Sequence, residues 1–228
     1  MLTMTGCVVG VFCALAARHY DRLMGQGYKP DAASLMAAMQ AVVAAPFTPI
    51  IGSDDAMGPR VLPVVAGAVS AAILAGLYLR HGGDVRLMPL GVACVILVLL
   101  ACIDMRVCLL PDALTQPLLW LGLLCAWAGV GLSVRDSIAG VATGYLLLSV
   151  PRLLWLWWRK LDAVGAGDVK LLAALGAWVG AFGITRVLAV ACIAGVVFAM
   201  IHQRSWRPGG AYPFGPFIAL AGVAEFLL

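Results

Sequence analysis

The chain has 228 residues, 63% of them hydrophobic and 11% charged, with a mean hydropathy of +1.02. A soluble domain carries about 25% charged residues, so this composition excludes a water-solvated globule and predicts an all-α, polytopic membrane bundle. The apolar runs are continuous, which excludes the alternation of a membrane β-barrel, and a net charge of +4 spread over so few charges speaks to orientation more than to nucleic acid.

A helical span needs about 20 mostly apolar residues. Eight are predicted, near 1–18, 61–79, 87–103, 114–133, 137–158, 169–183, 185–202 and 213–228, with soft boundaries that leave six to eight. In the first, Ala14-Leu15-Ala16 resembles a signal-peptide cleavage site, but no positive charge precedes the run and Arg18 follows it. That favours an uncleaved span with its N-terminus outside. Gly6 and Gly10 have the spacing that lets helices approach closely in lipid. Residues 19–60 form the one sizeable polar-flanked segment. In it Asp31 is placed to cap a helix over 32–45 that Pro46 stops, too short to span and so expected on the cytoplasmic membrane surface or against the bundle. Pro46 to Gly58 reads as an irregular connector. Spans two and three are joined by Arg80-His81-Gly82-Gly83-Asp84, where His81 reads as solvated.

If the loops alternate, the odd ones hold Arg18, Arg22, Lys29, Arg60, Arg106, Arg159, Lys160, Lys170, Arg204 and Arg207, and the even ones only Arg80, Arg86, Arg135 and Arg186. That asymmetry places the odd loops in the cytoplasm, and the run Trp155 to Lys160, aromatic then basic, agrees with it. Arg152, inside a span, is close enough to that end to snorkel, and Gly140 and Gly144 repeat the close-packing spacing. Of seven cysteines six lie in apolar runs, Cys108 is at a boundary, and no CxxC occurs, so no zinc ribbon or disulfide framework is indicated.

Charge in such a chain is informative where it persists. Asp104 ends the third span, where the helix dipole disfavours a carboxylate; an ion pair with Arg106 is its structural alternative. Asp112, after Leu110-Pro111 and before a Leu- and Trp-rich run, has the position of a helix N-cap. Asp168, in Gly165-Ala166-Gly167-Asp168-Val169-Lys170, follows a Gly-rich turn and also has a capping position, one that favours the ionised form. Lys170 is open to pairing with Asp168 or with a lipid phosphate. The last span starts at Pro213-Phe214-Gly215-Pro216, read equally as a bent helix start and as a backbone break able to hold an extended peptide. Asp104 and Asp168 both open onto odd loops, hence onto one membrane face. Two carboxylates brought together cannot both stay ionised, so such a pair shares a proton, one member acting as base and the other as acid.

With these residues in hand, the chain resembles the type IV prepilin leader peptidases, membrane enzymes of the GxGD aspartyl protease group. Three blocks carry the likeness, in the family's order: Asp104 with Leu110-Pro111-Asp112 running on to Leu123, Gly165 to Leu172, and Pro213 to Pro216. The resemblance implies that Asp104 and Asp168 are the catalytic pair, with Gly165, Gly167, Lys170, Pro111, Asp112, Pro213, Gly215 and Pro216 in support. It implies a membrane region over 1–85 and a peptidase core over 86–228. The substrates would be type IV prepilins or type II secretion pseudopilins, cleaved at the cytoplasmic face of the bacterial inner membrane, with no metal or cofactor needed. Many members also methylate the new N-terminus with S-adenosylmethionine. Here the two CxxC pairs of the bifunctional members are absent, the family's Asn in the first span is replaced by Ala14, and the Glu early in span two has no counterpart near Pro63 to Ala68. These departures weigh against methyl transfer and leave the peptidase reading. A proton-coupled transporter and a non-enzymatic assembly protein are the rival classes.

Overall fold

A computed structural model of the chain describes residues 2–44, 61–159, 165–203 and 213–228. These form eight α-helices and, among the described residues, no strand: α1 (Leu2–Gly25), α2 (Ala32–Ala44), α3 (Val61–His81), α4 (Leu87–Val107), α5 (Asp112–Trp127), α6 (Val134–Arg159), α7 (Ala166–Gln203) and α8 (Gly215–Leu227). Four of them, over Val64–His81, Leu87–Val107, Val134–Trp158 and Ala166–Ile201, are long and apolar enough to cross a bilayer. The expected polytopic helical membrane protein is what forms. The predicted connector over 46–58, Arg60, residues 160–164, Arg204, Arg207 and Tyr212 lie outside the described residues.

The chain divides into two compact units, Met1–Val107 and Cys108–Leu228. In the first, α1 is central and packs on α2, α3 and α4. Its glycines explain why. A Cβ on Gly6 would come within 2.5 Å of the Ala71 backbone, and one on Gly10 within 2.1 Å of the Ala66 carbonyl. The GxxxG expectation therefore holds, and since the α3 number falls as the α1 number rises, α1 and α3 are antiparallel. On another side of α1 the Cys13 thiol faces the Val95 carbonyl at 4.0 Å and Asp21 meets Arg106 at 3.8 Å, so α1 and α4 run parallel. Arg18, Arg22 and Arg106 gather at one end of this unit, Arg80 and Arg86 at the other.

The hairpin from α1 into α2 is closed by Asp31, whose Oδ1 accepts the Ser34 N–H at 3.1 Å while the Ser34 hydroxyl donates to the Asp31 carbonyl at 2.8 Å. That is the predicted cap, which satisfies one of the N–H groups a helix start leaves open. Of the two placements expected for this helix, the structure has it against the bundle: Leu35, Ala38 and Val42 are buried, with α1 as its packing partner.

In the second unit α7 is central, with α5, α6 and α8 packed on it. At 38 residues it would be about 57 Å long if straight, nearly twice the hydrocarbon thickness. It is not straight. Gly180 has φ 73° and ψ 179°, breaking the helix inside what was expected as span six, three residues before the predicted end at 183. The break interrupts the i→i−4 ladder, and the Ala177 carbonyl just before it accepts the Ser137 hydroxyl of α6 at 2.7 Å. The α6 and α7 backbones touch at glycines: a Cβ on Gly140 would be 2.0 Å from the Gly176 carbonyl, and one on Gly144 2.6 Å from that of Leu172.

Two predicted spans form shorter helices than expected. α5 stops at Trp127 rather than reaching 133, because Gly129 takes φ 74° and its N–H bonds the Ala126 carbonyl while that of Val130 bonds Cys125. This paired bonding at a left-handed glycine is a Schellman cap, which satisfies the last carbonyls and turns the chain away. α8 has 13 residues.

Candidate active site

Asp104 lies in the last turn of α4, in the first unit, and is 4% exposed. Taking a carboxylate out of water at the negative end of a helix dipole works against stability twice over. Near it the Arg106 side chain, only 10% exposed, meets Asp21 of α1 at 3.8 Å. The same end of the unit holds His19 and Tyr20. Burial, and then the neighbouring Arg22, push His19 below the ordinary histidine range, and burial pushes the Tyr20 phenol above its own.

Asp168 lies in the second unit, half-buried in the first turn of α7. The helix opens at Ala166, so Asp168 sits inside the first turn rather than at the cap ahead of it, which corrects the capping position read from sequence. Its carboxylate folds back over Gly165, where a Cβ would stand 2.9 Å from Oδ2. The site still has the favourable dipole, since anions are stabilised throughout a first turn. Gly167 has a separate reason to be glycine: a Cβ there would be 2.9 Å from that of Leu110. The two glycines of Gly165-Ala166-Gly167-Asp168 thus make room on two sides, one for the carboxylate and one for the Leu110-Pro111 segment.

Lys170 completes this cluster. Its ammonium donates to both oxygens of Asp112, at 2.7 Å each, so the carboxylate it pairs with is Asp112 and not Asp168. Asp112 is correspondingly not an N-cap. Pro111 occupies that position with extended backbone and no side-chain cap bond, and Asp112 is the first residue of α5. A carboxylate there still suits the dipole, but its side chain reaches across to α7 and ties the starts of α5 and α7 together.

Pro213 to Pro216 forms the bent start of α8. The Phe214 ring lies 3.5 Å from where a Gly195 side chain would be, and Phe217 meets Phe198 with ring centroids 5.4 Å apart. Pro216 has no N–H, and the N–H groups of Phe217 and Ile218 both bond the Phe214 carbonyl. The bent helix start read from sequence is what forms.

Sequence reasoning passed over two features. Glu225 of α8, its side chain 10% exposed, pairs with Arg186 of α7, and the Trp178 indole donates to the Leu118 carbonyl at 2.9 Å, filling the space that Gly122 leaves. A single acidic residue in the last apolar run was the available signal for the first; the second had none. Among the described residues no three His, Cys, Asp or Glu side chains gather as a metal site.

Residues 91–200 match the model of the type IV leader peptidase family. A prepilin leader peptidase/N-methyltransferase of Burkholderia pseudomallei is 37% identical over 169 residues, covering 72% of this chain and 52% of the relative. One from Dichelobacter nodosus is 43% identical over 136 residues, 58% of this chain and 45% of that one. A type 4 prepilin-like proteins leader peptide-processing enzyme of Escherichia coli is 39% identical over 121 residues, 52% and 44% of the two chains. The chain spans about half the length of the curated relatives it matches. No solved structure matches it.

Proposed function

We propose, from the premise that this chain belongs to the type IV leader peptidase family through residues 91–200, that it removes the leader of type IV prepilins or type II secretion pseudopilins. The peptidase core is residues 86–228, Asp104 and Asp168 are the catalytic pair, and both face the cytoplasm at the bacterial inner membrane. The observation that carries the reading is the contrast between two carboxylates in a chain so poor in charge: Asp104 buried at a helix end that disfavours it, Asp168 in a first turn that favours it.

That contrast divides the labour. Asp168, ionised, takes a proton from water, whose oxygen attacks the scissile carbonyl carbon. Asp104, protonated, donates a hydrogen bond to the carbonyl oxygen. When the tetrahedral intermediate collapses, the C–N bond breaks, the departing amine takes a proton from the pair, and one shared proton remains. The Gly165 and Gly167 clearances and the Lys170–Asp112 pair hold the start of α7, and so the Asp168 side chain, in place.

N-methyltransferase is part of the names of two of the relatives, and S-adenosylmethionine would be the methyl donor. It is the second activity to assay, and the missing CxxC pairs, Ala14 and the absent Glu in span two speak against it. The test of the main reading is leader removal from a prepilin in membranes carrying the chain, Asp104→Asn or Asp168→Asn. Each substitution is expected to slow cleavage by about 10²–10⁴-fold, the range for loss of a general acid or base. Wild-type rates from either variant would take that residue out of the mechanism.

A further inference from the structure

The proposed chemistry makes no use of α2. From Ala32 to Ala44 it has no ionisable side chain. One stripe, Leu35, Ala38 and Val42, is buried on α1. The opposite stripe contains Met36, 65% exposed, and Val43, 70% exposed, with Ala33, Ala37 and Gln40 between and beside them. A helix that rests on a protein with its other face in water carries charge on that face; this one carries none.

Its depth follows from register. The Tyr20 phenol lies against Ser34, and beyond Tyr20 α1 offers only about 8 Å before it ends at Gly25. The buried stripe from Leu35 to Val42 needs about 11 Å of α1 surface, so α2 runs back along α1 toward its N-terminus. Val42 then comes level with the region of Cys13. Cys13 in turn faces the Val95 carbonyl, in the middle of the span Leu87–Val107. The charges, by contrast, are all at the hairpin: Arg18, Asp21, Arg22, Lys29 and Asp31.

We infer that α2 is a re-entrant helix. It enters the membrane from the charged end of the first unit and lays its outer stripe among lipid acyl chains, while Arg22 and Lys29 stay at the level of the headgroups. Acyl chain is the occupant that the depth and the lack of charge select: the outer stripe offers nothing polar except Gln40, and the backbone groups in the middle of α2 are bonded within the helix, as hydrocarbon requires.

The test uses nitroxide labels on the full chain in phosphatidylcholine–phosphatidylglycerol vesicles. Cys7, Cys108, Cys125 and Cys192 are replaced by serine, leaving the buried Cys13, Cys94 and Cys102, and a label is carried at Tyr28→Cys, Met36→Cys or Val43→Cys. Collision with dissolved oxygen relative to a water-soluble nickel chelate is expected to rise by about tenfold from Tyr28→Cys to Val43→Cys, as for a segment passing from water into hydrocarbon. Ala37→Cys, on the same stripe, gives the same reading if a label at Val43 prevents folding. Nickel collision at Met36 and Val43 equal to that at Tyr28 would overturn the proposal in favour of a water-exposed helix. Labels at both positions shielded from oxygen and nickel alike would overturn it in favour of a protein partner.

Discussion

Asp112 and Lys170 make the shortest-range ion pair of the site, yet their side chains are 57% and 44% exposed. An exposed pair is worth about 0–1 kcal/mol even with good geometry, because water screens it and two side chains must be held still. Asp112→Asn is therefore expected to lower the stability of the detergent-solubilised protein by no more than about 1 kcal/mol, and to retain leader cleavage. Thermal unfolding and a cleavage assay on one preparation check both halves; a well-folded variant without activity would mean that Asp112 does more than anchor α7. The role assigned to Asp112 from sequence failed for an instructive reason. Its local pattern, an acidic residue just before an apolar run, is shared by N-cap and first-turn positions, and only the placement of Pro111 one residue earlier decides between them. Its partner is 58 residues away, beyond the reach of any local pattern. Asp104 and Asp168 were legible because a carboxylate at the edge of an apolar run is costly enough to stand out without knowledge of its surroundings.

At the scale of the helix, glycine spacing carried most of the readable packing. Gly6, Gly10, Gly140 and Gly144 each sit where a methyl group would strike backbone rather than a movable side chain. Gly140→Ala is the sharpest case: its Cβ would lie 2.0 Å from the Gly176 carbonyl oxygen, so α6 and α7 must separate. The expected cost is about 1–3 kcal/mol, the usual range for overpacking a close contact, and the loss should show as a lower unfolding temperature in detergent. Gly83→Ala, in the α3–α4 turn with nothing within 4 Å, is the matched control and is expected to change little; equal effects from the two would remove close packing as the explanation. What the sequence left hidden at this scale was the facing glycine, Gly176, and the positions where helices stop. Hydropathy runs unbroken past Trp127, whereas the Schellman cap depends on a backbone angle that glycine permits but does not announce; the break at Gly180 lies three residues from the end expected for span six.

For the whole molecule the open matter is which way it faces, and the first unit supplies a physical lever. α1 and α4 run parallel with α3 against them, so Arg18, Arg22 and Arg106 share one end with Asp104, and Arg80 and Arg86 mark the other. Basic residues flanking spans are retained on the cytoplasmic side during insertion, and the tally over the whole sequence, ten against four, has the same sense. The α3–α4 turn should then face outward and the α1–α2 hairpin inward. Gly83→Cys and Gln26→Cys place a thiol on each, at exposed positions of the two turns. In intact cells with a permeable outer membrane, a charged, membrane-impermeant maleimide is expected to modify Gly83→Cys at once and Gln26→Cys only after the inner membrane is opened. Peptide-resolved mass spectrometry separates these sites from the native cysteines. The reverse pattern would turn Asp104 away from the compartment where prepilins are made, and the peptidase proposal would fall with the topology.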